Sequence, residues 1–122
     1  MERIEEFTQQ GKKFMYIDFS GLNTDDEAKA VISKVRGAMA KYEKNSIYTI
    51  TNLMNFKPDI RTKEFFTKYT EENAPYVRFG AVLGIDGVKK MMASMVFRLS
   101  GRKNLVLVPT KEEAVEFLLK QD

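Results

Sequence analysis

The sequence predicts an α/β domain: four consecutive strand–helix units forming a mainly parallel sheet, with an antiparallel strand at the N-terminal edge. Three observations carry that expectation. Short runs rich in aromatic and β-branched residues recur at 14–20, 46–54, 77–85 and 104–108, each bounded by Gly, Asn, Asp or Pro. Between them lie segments whose apolar residues fall at helical spacing. The runs are too apolar to leave one face in water, and the segments between them are long enough for crossovers, so neighbouring strands should run parallel beneath helices. Residues 2–10, anchored by Ile4 and Phe7, suit the antiparallel edge.

Residues 14–20 read as a strand buried on both faces, with Asp18 as its one discordant member, ending at Gly21. Thr24-Asp25-Asp26-Glu27 forms a capping box in which the Thr24 hydroxyl accepts from the Glu27 N–H and the Glu27 carboxylate reaches back. Behind it Ala28, Val31, Ile32, Val35, Ala38, Met39 and Tyr42 share one stripe of a helix that stops at Asn45. Residues 46–54 give the second internal strand. A loop through Pro58 leads into a helix capped by Asp59, which carries Phe65, Phe66 and Tyr69 and ends near Pro75. Phe65 and Phe66 point about 100° apart, so one of them faces a loop or a partner. Residues 77–85 form the third strand, and Asp86 caps a helix over 87–100 that Gly101 stops. On that helix Val88, Met92, Met95 and Leu99 are expected against the sheet, Met91 at its border and Phe97 nearly opposite. Strand 104–108 ends at Pro109, and Thr110-Lys111-Glu112-Glu113 is a second capping box before the last helix.

Composition then narrows the chemistry. A chain of 122 residues fits one domain spanning 1–122. It has no cysteine and no histidine, which removes disulfides, thiolate zinc sites, thiol nucleophiles and imidazole bases. The expectation is therefore a protein that is not an enzyme and uses no cofactor or metal; capping accounts for the acidic run Asp25, Asp26 and Glu27. No apolar signal segment opens the chain, and no uncharged run reaches the roughly 18 residues a membrane-spanning helix needs, which points to a soluble cytoplasmic protein. The formal charge of +3 arises within 76–104, where six Lys/Arg stand against one Asp. These residues surround a strand and a helix without interleaved surface aromatics, so nucleic acid is not an expected partner.

The unit order, read with Tyr16–Leu22 (YIDFSGL), Asn73–Tyr76 (NAPY), Ala81–Gly87 (AVLGIDG) and Ser100–Arg102 (SGR), resembles the STAS-like family over about residues 12–120. That family includes bacterial anti-sigma-factor antagonists and cytoplasmic domains of anion transporters, with stand-alone relatives similar to lipid-exchange CRAL-TRIO domains. The resemblance implies a binding or regulatory module. In antagonist-type members a kinase phosphorylates a Ser or Thr in an Asp-Ser-Ser-Gly phrase where the second internal strand meets its helix. Here that stretch is Asn52–Asp59 (NLMNFKPD), which contains no hydroxyl, so the known switch does not carry over.

Parallel sheets bind ligands beyond the carboxyl ends of their strands, where helix N-termini offer free N–H groups. That rule selects Asp18 and Ser20, Thr51 and Asn52, and the turn Gly84, Asp86 and Gly87 as candidate ligand-binding residues. Asp18 either accepts hydrogen bonds from loop groups such as Ser20 or serves a ligand. Met91, Met95 and Phe97 make the third helix apolar beyond one stripe and are the candidate interface. The expected function is a non-catalytic binding or regulatory module acting through contacts with a protein partner or a second copy as a homodimer. The alternative is a small carrier for a lipid or other apolar ligand.

Overall fold

A computed structural model describes residues 3–59 and 61–121. The chain runs β1 (Ile4–Gln9), β2 (Lys12–Asp18), α1 (Asp25–Met39), β3 (Ile47–Asn52), α2 (Thr62–Asn73), β4 (Val77–Leu83), α3 (Gly87–Ser100), β5 (Leu105–Leu107) and α4 (Lys111–Leu119). The strands form one sheet in the order β1-β2-β3-β4-β5, with β1 antiparallel to β2 and the others parallel. The architecture is the α/β one expected, antiparallel edge included. A two-residue turn, Gln10–Gly11, sets the first register by placing Gln9 opposite Lys12.

Each parallel strand lies beside its predecessor, and right-handed crossovers stepping always in one direction deliver their helices to one face. Accordingly Ala28, Val31, Ile32 and Val35 of α1, Phe66 and Tyr69 of α2, and Val96 of α3 all pack with Met15, Ile17, Ile47 and Val77 of the sheet. Helix α4 returns to the other face, where Ala114 and Leu118 meet Phe14, Tyr48, Ile50, Ala81 and Leu83. The Lys12 ammonium ties that return down by donating to the carbonyls of Leu118 (3.2 Å) and Leu119 (3.0 Å) at the negative end of α4.

Local signals held to differing degrees. The Thr24 capping box is complete, whereas Thr110 accepts from the Glu113 N–H at 3.1 Å without the reciprocal bond. Helix α1 ends at Met39, six residues before Asn45, because tighter turns follow and carry the Tyr42 hydroxyl to the Glu6 carboxylate on β1. Asp59 does not cap α2; its carboxylate accepts from the Arg61 N–H (2.8 Å), and its own N–H donates to the Thr62 hydroxyl (2.7 Å). Asp86 occupies the N-cap position of α3 with no side-chain cap bond. Of Phe65 and Phe66, it is Phe66 that is buried, while Phe65 is half-buried with the Lys29 ammonium 5.2 Å above its ring.

Helix α3 is rotated from the expected orientation. Lys89, Met92, Ala93, Val96 and Phe97 face inward, while Leu99 is 57% exposed and Met91 70% exposed. Phe97 packs against the core and is not on the outer side. Hydrophobicity alone favoured the stripe through Met95 and Leu99. The helix instead turns Lys89 inward, where its ammonium donates to the Leu53 carbonyl at 3.0 Å and its methylene stem covers apolar surface. Val88 lies outside the described side chains.

Candidate functional site

The inner face of the sheet is built short. Alternation along β3 sends Thr49 and Thr51 to the α1–α3 side, and opposite Thr49 in β4 stands Gly80. A methyl on Gly80 would come within 2.6 Å of the Leu105 Cδ2 and 2.7 Å of the Thr49 hydroxyl, so those side chains already lean over the bare position. Above this floor α3 presents the small Ala93. Helices α2 and α3 pack on each other and roof the floor without filling it. A cavity of about 90 Å³ is left. Its floor is Ile17, Thr49, Thr51 and Val82; Phe66, Tyr69, Thr70 and Asn73 of α2 form one wall, and Met92, Val96 and Phe97 of α3 the other.

One end of the cavity, near Lys89, Leu53 and Ile85, lies at the carboxyl ends of β3 and β4. The opposite end lies at the amino ends of β4 and β5 and is governed by Arg102. Gly101 ends α3 in the left-handed region (φ 72°), and the Arg102 N–H returns to the Phe97 carbonyl at 3.1 Å, which fixes where the next side chain enters. Arg102 Nε donates to Asn104 Oδ1 (2.9 Å) and Nη1 donates to the Thr70 carbonyl (3.0 Å). Asn104 is held in turn, since its amide donates to the carbonyls of Val77 (3.0 Å) and Arg78 (3.1 Å). Arg102 Nη2 is buried without a hydrogen-bond partner, and so is the neighbouring Tyr69 hydroxyl. Among the described residues no carboxylate pairs with Arg102.

Electrostatics mark the same corner. Burial pushes the Tyr69 phenol above its ordinary range, against the opposing pulls of the nearby Asn73 amide, which falls short of a well-formed hydrogen bond, and of the Arg102 charge. Burial likewise lowers the Arg102 guanidinium, with the Tyr69 oxygen opposing it. The open Arg102 N–H can only donate, whereas the open Tyr69 hydroxyl beside it can donate or accept.

The candidate ligand-binding residues do not converge. Thr51 alone reaches the cavity; Asn52, one residue on, faces the opposite side, donating to the Tyr16 hydroxyl (2.9 Å) and accepting from the Met54 N–H (2.9 Å). Asp18 accepts from the Ser20 N–H at 2.8 Å and lies 3.8 Å from Arg3, whose guanidinium also takes the Ser20 carbonyl at 2.7 Å, so both predicted residues serve the loop. Gly84 leaves no space for a ligand: with φ at 83°, a Cβ there would sit 2.3 Å from the Met54 nitrogen. Asp86 and Gly87 are exposed, with Asp86 3.8 Å from the Lys89 ammonium. The strand-end rule works at a point where strand order reverses, and an order that runs 1-2-3-4-5 contains no such point.

Sequence reasoning therefore missed Tyr69, Asn73 and Arg102. One signal was present: Thr62, Phe66, Tyr69, Thr70 and Asn73 share a helical stripe that is half polar and yet buried. Of the interface candidates, Met91 is exposed and Met95 half-buried on the outer side of α3, whereas Phe97 is cavity wall.

The fold and the cavity together define an α/β domain with a largely apolar, partly open chamber that has Lys89 at one end and Arg102 at the other. Comparison with protein-family models and with curated protein sequences returns no match to this chain. Among the described residues no helix is long and apolar enough to cross a membrane.

Proposed function

We propose that this protein is a non-catalytic, cytoplasmic, STAS-like binding module that takes a small, largely apolar molecule into the chamber between α2, α3 and the sheet. The observation that carries the reading is the chamber itself, a space of about 90 Å³ with mostly apolar walls in an interior that packing would otherwise close. The non-catalytic part rests on the absence of His and Cys and on the commitment of Asp18 to its own loop. The STAS-like part rests on the succession of strand–helix units and the strand-end phrases. Dissolved benzene or pressurised xenon, followed through the methyl signals of Met92 and Val96, tests it. Shifts at these methyls are expected, and Ala93→Leu should abolish them by filling the space. Unmoved lining methyls in the native chain reject the reading.

A second reading, contact with a protein partner or a second copy, draws on a different observation. Met91, Met95 and Leu99 recur at four-residue spacing on the outer side of α3, and both end residues are exposed.

A further inference from the structure

The chamber's polar corner narrows what the occupant can be. Arg102 carries a full positive charge into it with no carboxylate beside it among the described residues, and two of its three nitrogens are spent on neutral oxygens. The third nitrogen and the adjacent Tyr69 hydroxyl are both buried and both open. Arg102 as a residue is half-buried and only its Nη2 is shut from solvent; water could satisfy that N–H, but an anion also balances the partly desolvated charge. The guanidinium N–H can only donate and the Tyr69 hydroxyl can donate beside it, so a group with two acceptor oxygens and a negative charge satisfies both; a carboxylate presents such a pair. A single guanidinium suits one negative charge and not the two of a phosphate. The other half-buried cation of the lining, Lys89, stands near the start of α3, 13 residues before Arg102, and is engaged by the Leu53 carbonyl. Beyond the corner the walls are Phe66, Met92, Val96 and Phe97, and the space takes a small apolar body.

We infer that the chamber binds a small apolar monocarboxylate, its carboxylate on Arg102 Nη2 and Tyr69 Oη and its apolar body against Phe66, Met92, Val96 and Phe97. The inference rests on the reading of the chamber as a ligand site and adds the ligand's chemical class.

The test uses the full chain and the isosteric pair benzoate and benzamide, titrated by calorimetry and by methyl and amide NMR. Benzoate is expected to bind more tightly than benzamide by on the order of tenfold or more, the value of a charge-assisted contact, with shifts at Met92, Val96 and Tyr69. Tyr69→Phe should weaken benzoate more than benzamide, whose neutral carbonyl gains less from the same hydroxyl. Arg102→Gln should remove the preference; Arg102→Lys, which keeps the charge but loses the fork, should retain part of it and guards against a variant that fails to fold. Equal binding of the two probes, or benzoate shifts away from the chamber, overturns the carboxylate while benzene entry still upholds the chamber. Failure of both benzene and benzoate to enter overturns both.

Discussion

The two faces of the sheet are made from the same strands and are packed in opposite ways. On the α4 face, Phe7 stacks on Phe14 (5.0 Å between centroids), Phe14 meets Tyr48 (5.7 Å) and Phe79 meets Phe117 edge to face (6.0 Å). Ala114 and Leu118 fill what remains, both at 0% exposure. On the α1–α3 face the aromatic cluster of Phe19, Phe56, Phe66 and Tyr69 occupies one side, and beside it threonines, a glycine and an alanine leave the chamber. One helix can be fitted to a sheet with complementary side chains. A roof of two helices must also satisfy its own helix–helix contact, and short residues beneath that seam leave space.

The largest effect that separates the faces is truncation. Leu118→Ala should lower unfolding stability by about 2–5 kcal/mol, because the dry face cannot collapse around the loss. Met92→Ala, at a half-buried position beside a partly open space, should cost less, about 1–2 kcal/mol. Similar urea midpoints for the two variants would break the contrast.

Enlargement at adjacent positions of β4 sharpens it. Ala81 and Val82 point to opposite faces. Ala81→Val should destabilise by about 1–3 kcal/mol through overpacking, whereas Val82→Ile extends into the chamber and should be neutral or stabilising. A loss at Val82 equal to that at Ala81 would show the chamber wall to be as tightly fitted as the other face.

The smallest effect appears only in alkali. Burial and the Glu6 carboxylate push the Tyr42 phenol up to about 12, and burial raises Tyr69 as well. An unfolded tyrosine loses its proton near pH 10, while these two keep theirs in the folded state, so stability is intact below pH 10 and falls as pH rises toward the folded values. Tyr69→Phe removes one of the two contributions and should flatten the decline between pH 10 and 12 in urea midpoints. An unchanged slope would place Tyr69 in a wetter setting than the chamber corner.

Element order and type were legible because they are local: Thr24 with Glu27, the stripe from Ala28 to Met39, and the β-rich runs each carry their own signal. The rotation of α3 was not, because its inward stripe contains Lys89 and Ala93, and a hydrophobic tally discounts both. The Tyr69–Arg102 corner was not legible either. Its two residues lie 33 positions apart and meet only where the end of α3 packs beside α2, and the Arg102 side chain is aimed by Asn104 and the Thr70 carbonyl. Arg102 stood in a phrase that served for resemblance, with nothing local to mark it as part of a cavity lining.

The strand order also bears on how the chain acquires its structure. Every pair of neighbours in the sheet is a pair of successive strands, so each pairing closes only one intervening segment and the sheet can grow in the order of synthesis. The first three crossover helices cover their face as they emerge. The opposite face, with Phe14, Tyr48, Ile50 and Ala81, has no cover until residues 111–119 arrive and Lys12 takes hold of their carbonyl end. A nascent chain is thus complete on its α1–α3 side while its α4 side is still bare, and that interval is when it is most prone to stick to another copy of itself.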